Sequence, residues 1–413
     1  MQIKKGVDAD QIASEHGFKN LGRVASLDDF FLFERLHTRD EKPDLSTCPD
    51  IVLQERQVEK IRYKRPMPDK KRGKASSKRL TVNDPLYSSQ WHLQSSGVGL
   101  SVPSVWDTGV LGEGVTVAVV DDGLEPNNRD IGQNYRADTS YDFNGNDPDP
   151  NPNTQDEHGT SSAGCVAAAP NAYCGVGVAP AAKVSGIRLI AAATVDATEA
   201  AALSYKIQDN QIFTSSWGPF DDGNRYEGPG PALKAAFEQS VRNGRGGKGS
   251  IYMWAGGNGR RNGKYTKNRL QLKSSLFFKK KKGDNCNYDG YVNSRFTIGI
   301  GALADSGTVA WYSESCSALF ACAPSSGGSK RITTSDLNAG RGASSGDCNT
   351  GFGGTSAASP IAAGKRNSSV LRFLIFAYKF LAKVLLLSCS LQTLSSLGET
   401  CNTLSQTPPK LSM

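Results

Sequence analysis

The stretch Val115-Thr116-Val117-Ala118-Val119-Val120, followed directly by Asp121-Asp122-Gly123, decides the fold of this chain. Six consecutive residues that favour β-structure predict a strand covered on both faces, as in a parallel sheet. Similar runs occur at 183–189, 211–215, 250–254 and 296–300, and helix-compatible segments lie between them at 197–205 and 231–242. Strands that alternate with helices predict an α/β domain, with its ligand site at the carboxyl ends of the strands.

Polar residues stand where this architecture places such a site. Asp121 closes the first strand, and Asn258 lies in the turn Gly256-Gly257-Asn258-Gly259 just past a later one. Ser356 lies in Gly353-Gly354-Thr355-Ser356-Ala357-Ala358-Ser359-Pro360. Such a run of small residues either exposes a nucleophilic hydroxyl to substrate or simply opens a helix.

A histidine that also lies among small residues would favour the nucleophile over the simple helix start. The chain has four histidines; His92 lies in Gln90-Trp91-His92-Leu93 and looks like a packing residue. His158 lies between Asp121 and Ser356, in Asp156-Glu157-His158-Gly159-Thr160. Aspartate, histidine and serine in this chain order match one of the known arrangements of the serine-protease triad. In that chemistry the imidazole takes the serine proton, and the carboxylate orients the imidazole.

Motifs distributed over 83–364 carry a specific family resemblance. They are Asn83-Asp84-Pro85, Val120-Asp121-Asp122-Gly123-Leu124-Glu125, Glu157-His158-Gly159-Thr160, Ser215-Ser216-Trp217-Gly218-Pro219, Gly283-Asp284-Asn285-Cys286-Asn287-Tyr288-Asp289 and Gly354-Thr355-Ser356. With them the chain resembles the subtilases and, among these, the kexin/furin-type proprotein convertases, most of all the fungal kexins. The resemblance implies a subtilisin-like parallel sheet flanked by helices and preceded by a small α+β prodomain.

The resemblance also implies roles for individual residues. Asp121, His158 and Ser356 match the triad, and Asn258 matches the donor that stabilises the oxyanion. Asp122 matches the contact for the second basic residue before the cut, and Asp289 matches the floor of the arginine pocket. Further substrate contacts implied in this way are Glu199, Glu227, Ser216, Trp217 and Gly218.

Calcium is the cofactor that the resemblance implies. Asp142, Asp147 and Asp149 crowd carboxylates into a Pro- and Gly-rich loop, a ligand set that suits a hard cation, although a polar turn is the alternative. By resemblance these three residues hold one calcium ion. Asp221, Asp284 and Glu314 match a second site beneath the arginine pocket, and Asp84 with Asp130 match a third.

The nine cysteines permit disulfides without establishing an oxidising compartment. The resemblance implies the pairs Cys174–Cys348 and Cys286–Cys316, and a place in the secretory pathway at the Golgi membrane. The chain itself shows no signal peptide, and its apolar segment 370–391 is interrupted by Arg372, Lys379 and Lys383. We therefore expect neither a clear membrane helix nor a membrane anchor in this chain.

Composition divides the chain into parts of opposite charge. The segments 1–79, 264–282 and 365–413 hold 32 of the 48 basic residues but only 14 of the 40 acidic ones. The body between them therefore carries 16 basic and 26 acidic residues, although the whole chain has a net charge of +8. An acidic body argues against nucleic acid as a partner, and it favours cationic substrates or bound metal.

The domain organisation follows from these changes in composition. Residues 1–79 form a prodomain-like region, with apolar runs at 30–33 and 51–53 and a linker with basic clusters at 63–65, 70–72 and 77–79. Such a linker is either a solvated charged segment or a set of processing sites. Lys78-Arg79 is the favoured junction with the catalytic domain, which we place at 80–364. Partners are then this prodomain and precursor proteins with dibasic sites.

Two segments depart from the family pattern. An insertion at 264–282 ends in four lysines, and from Gly364-Lys365 the sequence becomes a Leu- and Ser-rich tail. Both begin with Gly-Lys, as a translated splice donor would, so retained introns are our hypothesis. We expect the helix that follows Ser356 to stop near Gly364, and the usual C-terminal β-sandwich to be missing.

Two functions remain open at this point. The first is a calcium-dependent serine endopeptidase that cuts precursors after Lys-Arg through an acyl-enzyme. The alternative is a truncated or mis-spliced inactive family member that at most binds basic peptides.

Overall fold

The first 64 residues form a small α+β unit that packs against a larger α/β domain. The unit consists of β1 (Gln2–Ile3), α1 (Ala9–Glu15), β2 (Phe18–Arg23), β3 (Phe31–Arg35) and β4 (Ile51–Leu53). Strand β2 pairs with β3 and β1 pairs with β4, both antiparallel. A short strand, β5 (Tyr63–Lys64), follows this unit and pairs with the larger domain. The apolar runs expected at 30–33 and 51–53 thus supply β3 and β4.

The computed structural model describes residues 1–36, 45, 48–64, 82–260, 283–338 and 348–367. These residues belong to one compact unit, Met1–Ser368, and the second unit, Ser369–Met413, lies outside them. The basic clusters at 70–72 and 77–79, the insertion at 264–282 and the apolar segment 370–391 also lie outside the described residues.

The larger domain is built on a seven-stranded parallel sheet. Its elements in chain order are α2 (Val102–Trp106), β6 (Thr116–Asp121), β7 (Tyr141–Asp142), α3 (His158–Ala167), β8 (Lys183–Arg188), α4 (Asp196–Leu203), β9 (Ile212–Ser215), β10 (Trp217–Gly218), α5 (Pro231–Gly247), β11 (Ile251–Ala255), β12 (Thr297–Leu303), β13 (Leu319–Pro324), β14 (Ile332–Ser335), β15 (Cys348–Phe352) and α6 (Thr355–Asn367). The sheet order is β13-β12-β11-β9-β6-β8-β7. The α/β class and all five predicted strands are confirmed.

Side chains of β6 alternate between two hydrophobic layers. Val117 and Val119 pack into a layer with α3 and α6, while Ala118 and Val120 pack into a layer with α4 and α5. Every residue of β6 is buried because helices cover both faces of the sheet. This explains why the strand reads as an unbroken β-favouring run instead of an alternating one.

The N-terminal unit docks on the layer formed by α4 and α5. Val24, Leu27 and Phe30 are buried in the same cluster as residues of these two helices. The Ser26 hydroxyl donates to Gln239 at 3.1 Å, and the Lys60 N–H donates to the Thr194 carbonyl at 2.6 Å. After the Lys60 contact the chain continues into β5, which pairs with β10 of the larger domain.

Helix α6 is longer than we expected. It continues past Gly364 to Asn367, and Ile361 and Ala363 are fully buried against the sheet. The expectation that the helix behind Ser356 stops near Gly364 is therefore wrong. Lys365 extends the same helical turn because nothing in Gly364-Lys365-Arg366-Asn367 forces the backbone out of a helix.

The described residues can be examined for two further elements, a C-terminal β-sandwich and a membrane-spanning helix. No β-sandwich follows the sheet within them. Among the helices of the same residues, none has the length and apolar character needed to cross a bilayer.

Candidate active site

Asp121 and His158 meet at the carboxyl edge of the sheet. Asp121 is the last residue of β6, and His158 is the first residue of α3. The His158 Nδ1 lies 2.9 Å from Asp121 Oδ1 and 3.0 Å from Oδ2, and both side chains are buried. Burial opposes the charged imidazolium, but the Asp121 carboxylate outweighs it and raises the pKa of His158. The pair therefore favours an imidazole that can hold a proton.

Close backbone packing fixes the start of α3. A Cβ on Gly159 would lie 2.0 Å from the Gly123 carbonyl oxygen, so no other residue fits there. The Asp122 carboxylate accepts from the N–H groups of Gly159 at 2.7 Å and His158 at 3.3 Å. These bonds satisfy orphan donors at the helix start and hold the histidine backbone in place.

Ser356 is the second residue of α6 and is fully buried. Its hydroxyl donates to the Ser216 carbonyl oxygen at 3.3 Å. Among the described residues, His158 Nε2 has no hydrogen-bond partner. The serine hydroxyl thus points toward the backbone of Ser216, between β9 and β10. It must rotate toward Nε2 before that nitrogen can take its proton.

Asn258 is held in one orientation by the residue that precedes Ser356. Its Oδ1 accepts from both the N–H and the hydroxyl of Thr355, each at 2.9 Å. With the oxygen used in this way, Nδ2 is the donor end of the amide beside the serine. The Asn258 N–H also donates to Asp221 Oδ2 at 2.7 Å.

Strand β5 lies in the cleft as an extra strand on β10. Lys64 is in register with Trp217, and Tyr63 is in register with Gly218, in an antiparallel pair. Trp217 and Gly218 therefore form the edge along which β5 lies, and Ser216 directly precedes them. Backbone pairing of this kind holds a peptide irrespective of its sequence, and side-chain pockets supply selectivity.

The Lys64 ammonium lies between two carboxylates. It contacts Asp122 closely and Asp156 at 3.2 Å. Burial and the Asp121 charge raise the pKa of Asp122 to about 6, and Lys64 pulls in the opposite direction. Asp156 was not predicted as a contact for a basic side chain, although its position two residues before His158 could have indicated one.

The Arg62 guanidinium is buried in a second acidic pocket. Its Nε lies 2.8 Å from Glu199, and its Nη1 lies 2.9 Å from Glu227. Its Nη2 donates to the Tyr291 hydroxyl at 2.6 Å, and that hydroxyl donates to Glu199 at 2.7 Å. Tyr291 was not predicted, because no sequence pattern marks a buried tyrosine as a ligand contact.

Asp289 lies beside a third pocket. It is 8% exposed, and its Oδ1 accepts from the N–H groups of Tyr291 and Val292. A cavity next to it is lined by aromatic and acidic residues: Pro219, Phe220, Asp221, Arg225, Asp284, Asn285, Tyr288, Asp289 and Glu314. The acidic lining suits a cationic side chain.

Asp221, Asp284 and Glu314 converge in the lining of this cavity. One carboxylate oxygen from each lies within 4.8 Å of the others, and the residues that the structure describes contain no other such group of three. Glu314 accepts from the Gly259 N–H at 2.9 Å, next to the Asn258 contact of Asp221. Three mutually repelling carboxylates at this separation fit a calcium ion, which takes oxygen ligands.

Asp84 and Asp130 form a second acidic pair. Asn171 joins them, since its N–H donates to Asp84 at 3.1 Å and its Nδ2 donates to Asp130 at 3.2 Å. Burial raises the pKa of Asp84 to about 6 and that of Asp130 to about 7. Among the residues that the structure describes, no cationic side chain is paired with these two buried carboxylates, and such a pair suits a cation.

The loop around Asp142 has a different arrangement. Asp142 Oδ2 accepts from Arg188 at 2.7 Å, and Asp142 Oδ1 accepts from two loop N–H groups. Asp147 and Asp149 each accept from a backbone N–H two residues on. The loop carboxylates are thus largely engaged with donors of the protein itself.

Both disulfides implied by the resemblance are present. Cys174 is bonded to Cys348, and Cys286 is bonded to Cys316. The second bond fixes the loop next to Asp284 and Asp289, and the first ties the Asn171 loop to β15.

Comparison with known proteins agrees with this fold. The profile of the subtilase family, Peptidase S8, matches residues 112–366, and that of the Peptidase S8 pro-domain matches residues 1–65. The chain therefore belongs to the subtilase family. These are the serine-type endopeptidases that the buried Asp121–His158 pair and Ser356 suggest.

Within that family the chain is similar to proprotein convertases. It is 36% identical to proprotein convertase subtilisin/kexin type 6 of Rattus norvegicus, over 86% of this chain and 36% of the relative. Furin-like protease 1 of Drosophila melanogaster is 37% identical, over 86% of this chain and 32% of its own length. The chain thus spans well under two thirds of these relatives. A serine protease of Aeromonas sobria has a similar structure, with a TM-score of 0.59 and 26% identity, covering 74% of this chain and 58% of that one.

Proposed function

We propose that this chain is a calcium-dependent serine endopeptidase that cuts precursor proteins after Lys-Arg. The observation that carries the proposal is the placement of β5. A segment of the chain itself, Arg62-Tyr63-Lys64, pairs with β10 as a substrate would, with its two cations in acidic pockets. The next residue in sequence is Arg65, which completes a Lys-Arg pair.

The proposed reaction uses the groups that meet at the sheet edge. Ser356 Oγ attacks the carbonyl carbon of the scissile bond while His158 Nε2 takes the hydroxyl proton. Asp121 holds Nδ1 and stabilises the imidazolium, and Asn258 Nδ2 donates to the developing oxyanion. The imidazolium then protonates the leaving amine, and a water molecule releases the acyl group through the same steps in reverse order.

Specificity follows from three acidic pockets along the cleft. Asp289 would receive the arginine at the cut, Asp122 with Asp156 the lysine before it, and Glu199 with Glu227 a basic residue two positions earlier. Opposite charges desolvated in a cleft discriminate strongly, because a neutral side chain leaves buried carboxylates without partners. The overall acidity of the body adds long-range attraction for basic segments.

Calcium would be held first by Asp221, Asp284 and Glu314. A bound ion supplies positive charge that lets three carboxylates remain ionised together. Asp221 and Glu314 also hold the backbone of Asn258 and Gly259, so the ligand cluster and the oxyanion donor share one loop. Asp84 with Asp130 would hold a further ion; at Asp142, Asp147 and Asp149 an ion would have to compete with Arg188.

The N-terminal unit would act as a prodomain, with precursor proteins of the secretory pathway as partners in trans. Two disulfides suit that compartment. A Golgi location is implied by the family alone. Lys78-Arg79 remains the proposed junction, because the pair Lys64-Arg65 is followed in the sequence by Pro66.

A peptide-cleavage assay on the full chain tests the proposal. Fluorogenic Arg-Tyr-Lys-Arg should be cut after its last arginine, and a calcium chelator should abolish cutting. Ser356→Ala should lower kcat by about 10⁶, as loss of the triad serine does in subtilisin. The proposal fails, and the binding alternative stands, when the peptide binds to the chain but no preparation with Ser356 intact cuts it.

A further inference from the structure

Tyr63 lies between the two basic residues of β5 and points the other way. Successive side chains of a strand face opposite sides, so the pockets that take Arg62 and Lys64 leave Tyr63 on the other side. There its ring meets Phe220, with centroids 4.9 Å apart and ring planes at 68°. This edge-to-face arrangement is one of the two that aromatic pairs prefer.

Phe220 is held in place for such a contact. It follows β10 by two residues, and its carbonyl accepts from the Asp222 N–H at 2.9 Å. The Arg225 guanidinium lies over its ring at 5.5 Å and is paired with Asp222 at 3.6 Å. Even with Tyr63 in contact, Phe220 remains 44% exposed.

Phe220 is one of several exposed apolar residues of the chain, and its place at the cleft edge distinguishes it. Phe220 belongs to neither of the hydrophobic layers that cover the sheet. Its ring lines the same cavity as Tyr288 and the carboxylates beside the arginine pocket. It therefore gives this acidic cavity an apolar ring that also contacts Tyr63, which would be the third residue before a cut after Lys-Arg.

We propose that Phe220 makes this third subsite selective for aromatic side chains, so that the preferred sequence is Arg-aromatic-Lys-Arg. This inference rests on the proposed function, because it requires that substrates lie in the cleft in the same way as β5. Aromatic residues gain both buried area and the edge-to-face contact, while leucine gains area alone and alanine gains little. The expected order at this position is tyrosine or phenylalanine, then leucine, then alanine.

Two peptides that compete in one mixture report the preference at the third position before the cut. The fraction of active enzyme cancels, because both peptides meet the same enzyme. Full-length chain receives Arg-Tyr-Lys-Arg and Arg-Ala-Lys-Arg substrates together, and the ratio of their kcat/KM values is read directly. We expect the tyrosine peptide to be favoured about three- to tenfold. In Phe220→Ala the ratio should fall to about 1, and Phe220→Tyr should restore it. Phe320→Ala, which removes an exposed ring on β13, serves as the matched control and should keep the wild-type ratio.

A binding measurement separates this inference from catalysis. The full chain with Ser356→Ala, in which Arg62→Ala, Tyr63→Ala and Lys64→Ala also remove the side chains of β5 from the cleft, is mixed with fluorescein-labelled Arg-Tyr-Lys-Arg, and unlabelled peptides compete for it. Discrimination that depends on Phe220, without cleavage by chains that retain Ser356, would overturn the proposed function and support the subsite. Cleavage after Lys-Arg with equal rates for tyrosine and alanine would overturn the subsite alone. Absence of any peptide binding would overturn both.

Discussion

Asp221 accepts a hydrogen bond from the Asn258 N–H at 2.7 Å, so a proposed calcium ligand directly holds the proposed oxyanion donor. Any change in the position of Asp221 moves the backbone from which the amide projects. Occupancy of the metal cluster and stabilisation of the oxyanion are therefore expected to change together.

Asp284→Asn should weaken calcium binding without touching Asn258. Calcium at about 100 times its Kd stabilises a protein by about 2.7 kcal/mol, which for a chain of this size raises Tm by about 3 °C. We expect this calcium-induced shift to shrink in the variant, as followed by calorimetry. Glu238→Gln, on the exposed face of α5, should retain the full shift. An unchanged shift in Asp284→Asn would show that the cluster is not the calcium site.

Glu199→Gln should reduce selectivity for arginine at the fourth position before the cut. Hydrogen bonds to charged groups contribute about 1.5–3 kcal/mol each, so wild-type enzyme should favour arginine over alanine there by at least about tenfold. The variant replaces the charged acceptor of Arg62 Nε by a neutral amide, and the preference should fall several-fold. Paired kcat/KM measurements on the two peptides report it. Equal preference in both proteins would place this pocket elsewhere.

The pH dependence of cleavage should report the His158–Asp121 pair. A neutral imidazole is needed to take the serine proton, so kcat/KM should rise with pH through the pKa of His158, which the carboxylate raises. Asp121→Asn removes the largest attraction that opposes burial and leaves only that of Asp122, so the pKa of His158 should fall and the acid limb should move to lower pH. The rate should also drop by about 10⁴. An acid limb at the same pH in both proteins would assign it to another group, of which Asp122 is the nearest candidate.

Pro66 should protect the bond after Arg65, in the segment that follows β5. A proline nitrogen carries a ring carbon in place of hydrogen, so the bond after Arg65 offers His158 a crowded leaving nitrogen. We expect mass spectrometry of the full chain to find cuts after Arg72 or Arg79, with none after Arg65. Pro66→Ala should open the bond after Arg65 to cutting. Efficient cleavage before Pro66 in the wild-type chain would contradict this prediction.

The sequence predicted the sheet well because each strand had its own local signal. The run 115–120 identified β6, and the polar residues after β6 and β11 identified the edge where Asp121 and Asn258 now lie. The same reasoning from local composition gave the wrong end for α6. The change of composition at Gly364 suggested that the helix stops there, but a helix continues through any residues that tolerate helical backbone geometry.

The contacts of β5 could not be predicted from the sequence. Arg62 and Lys64 lie in a stretch whose composition is typical of a solvated linker, and their partners Glu199 and Asp122 are 137 and 58 positions away in the chain. Pairing over such distances depends on docking of the whole N-terminal unit. Asp156 was missed for a related reason, since its role exists only when a cation occupies the cleft.

The pairing of β5 with β10 limits which precursors could be processed. Trp217 and Gly218 pair with β5 along the backbone, and a precursor bound in the same way would have to be extended. A Lys-Arg pair inside a helix, or in the middle of a sheet, has already committed those groups. Cutting would therefore be confined to exposed linkers and loops that can straighten, so that a precursor's own fold determines which of its basic pairs are processing sites.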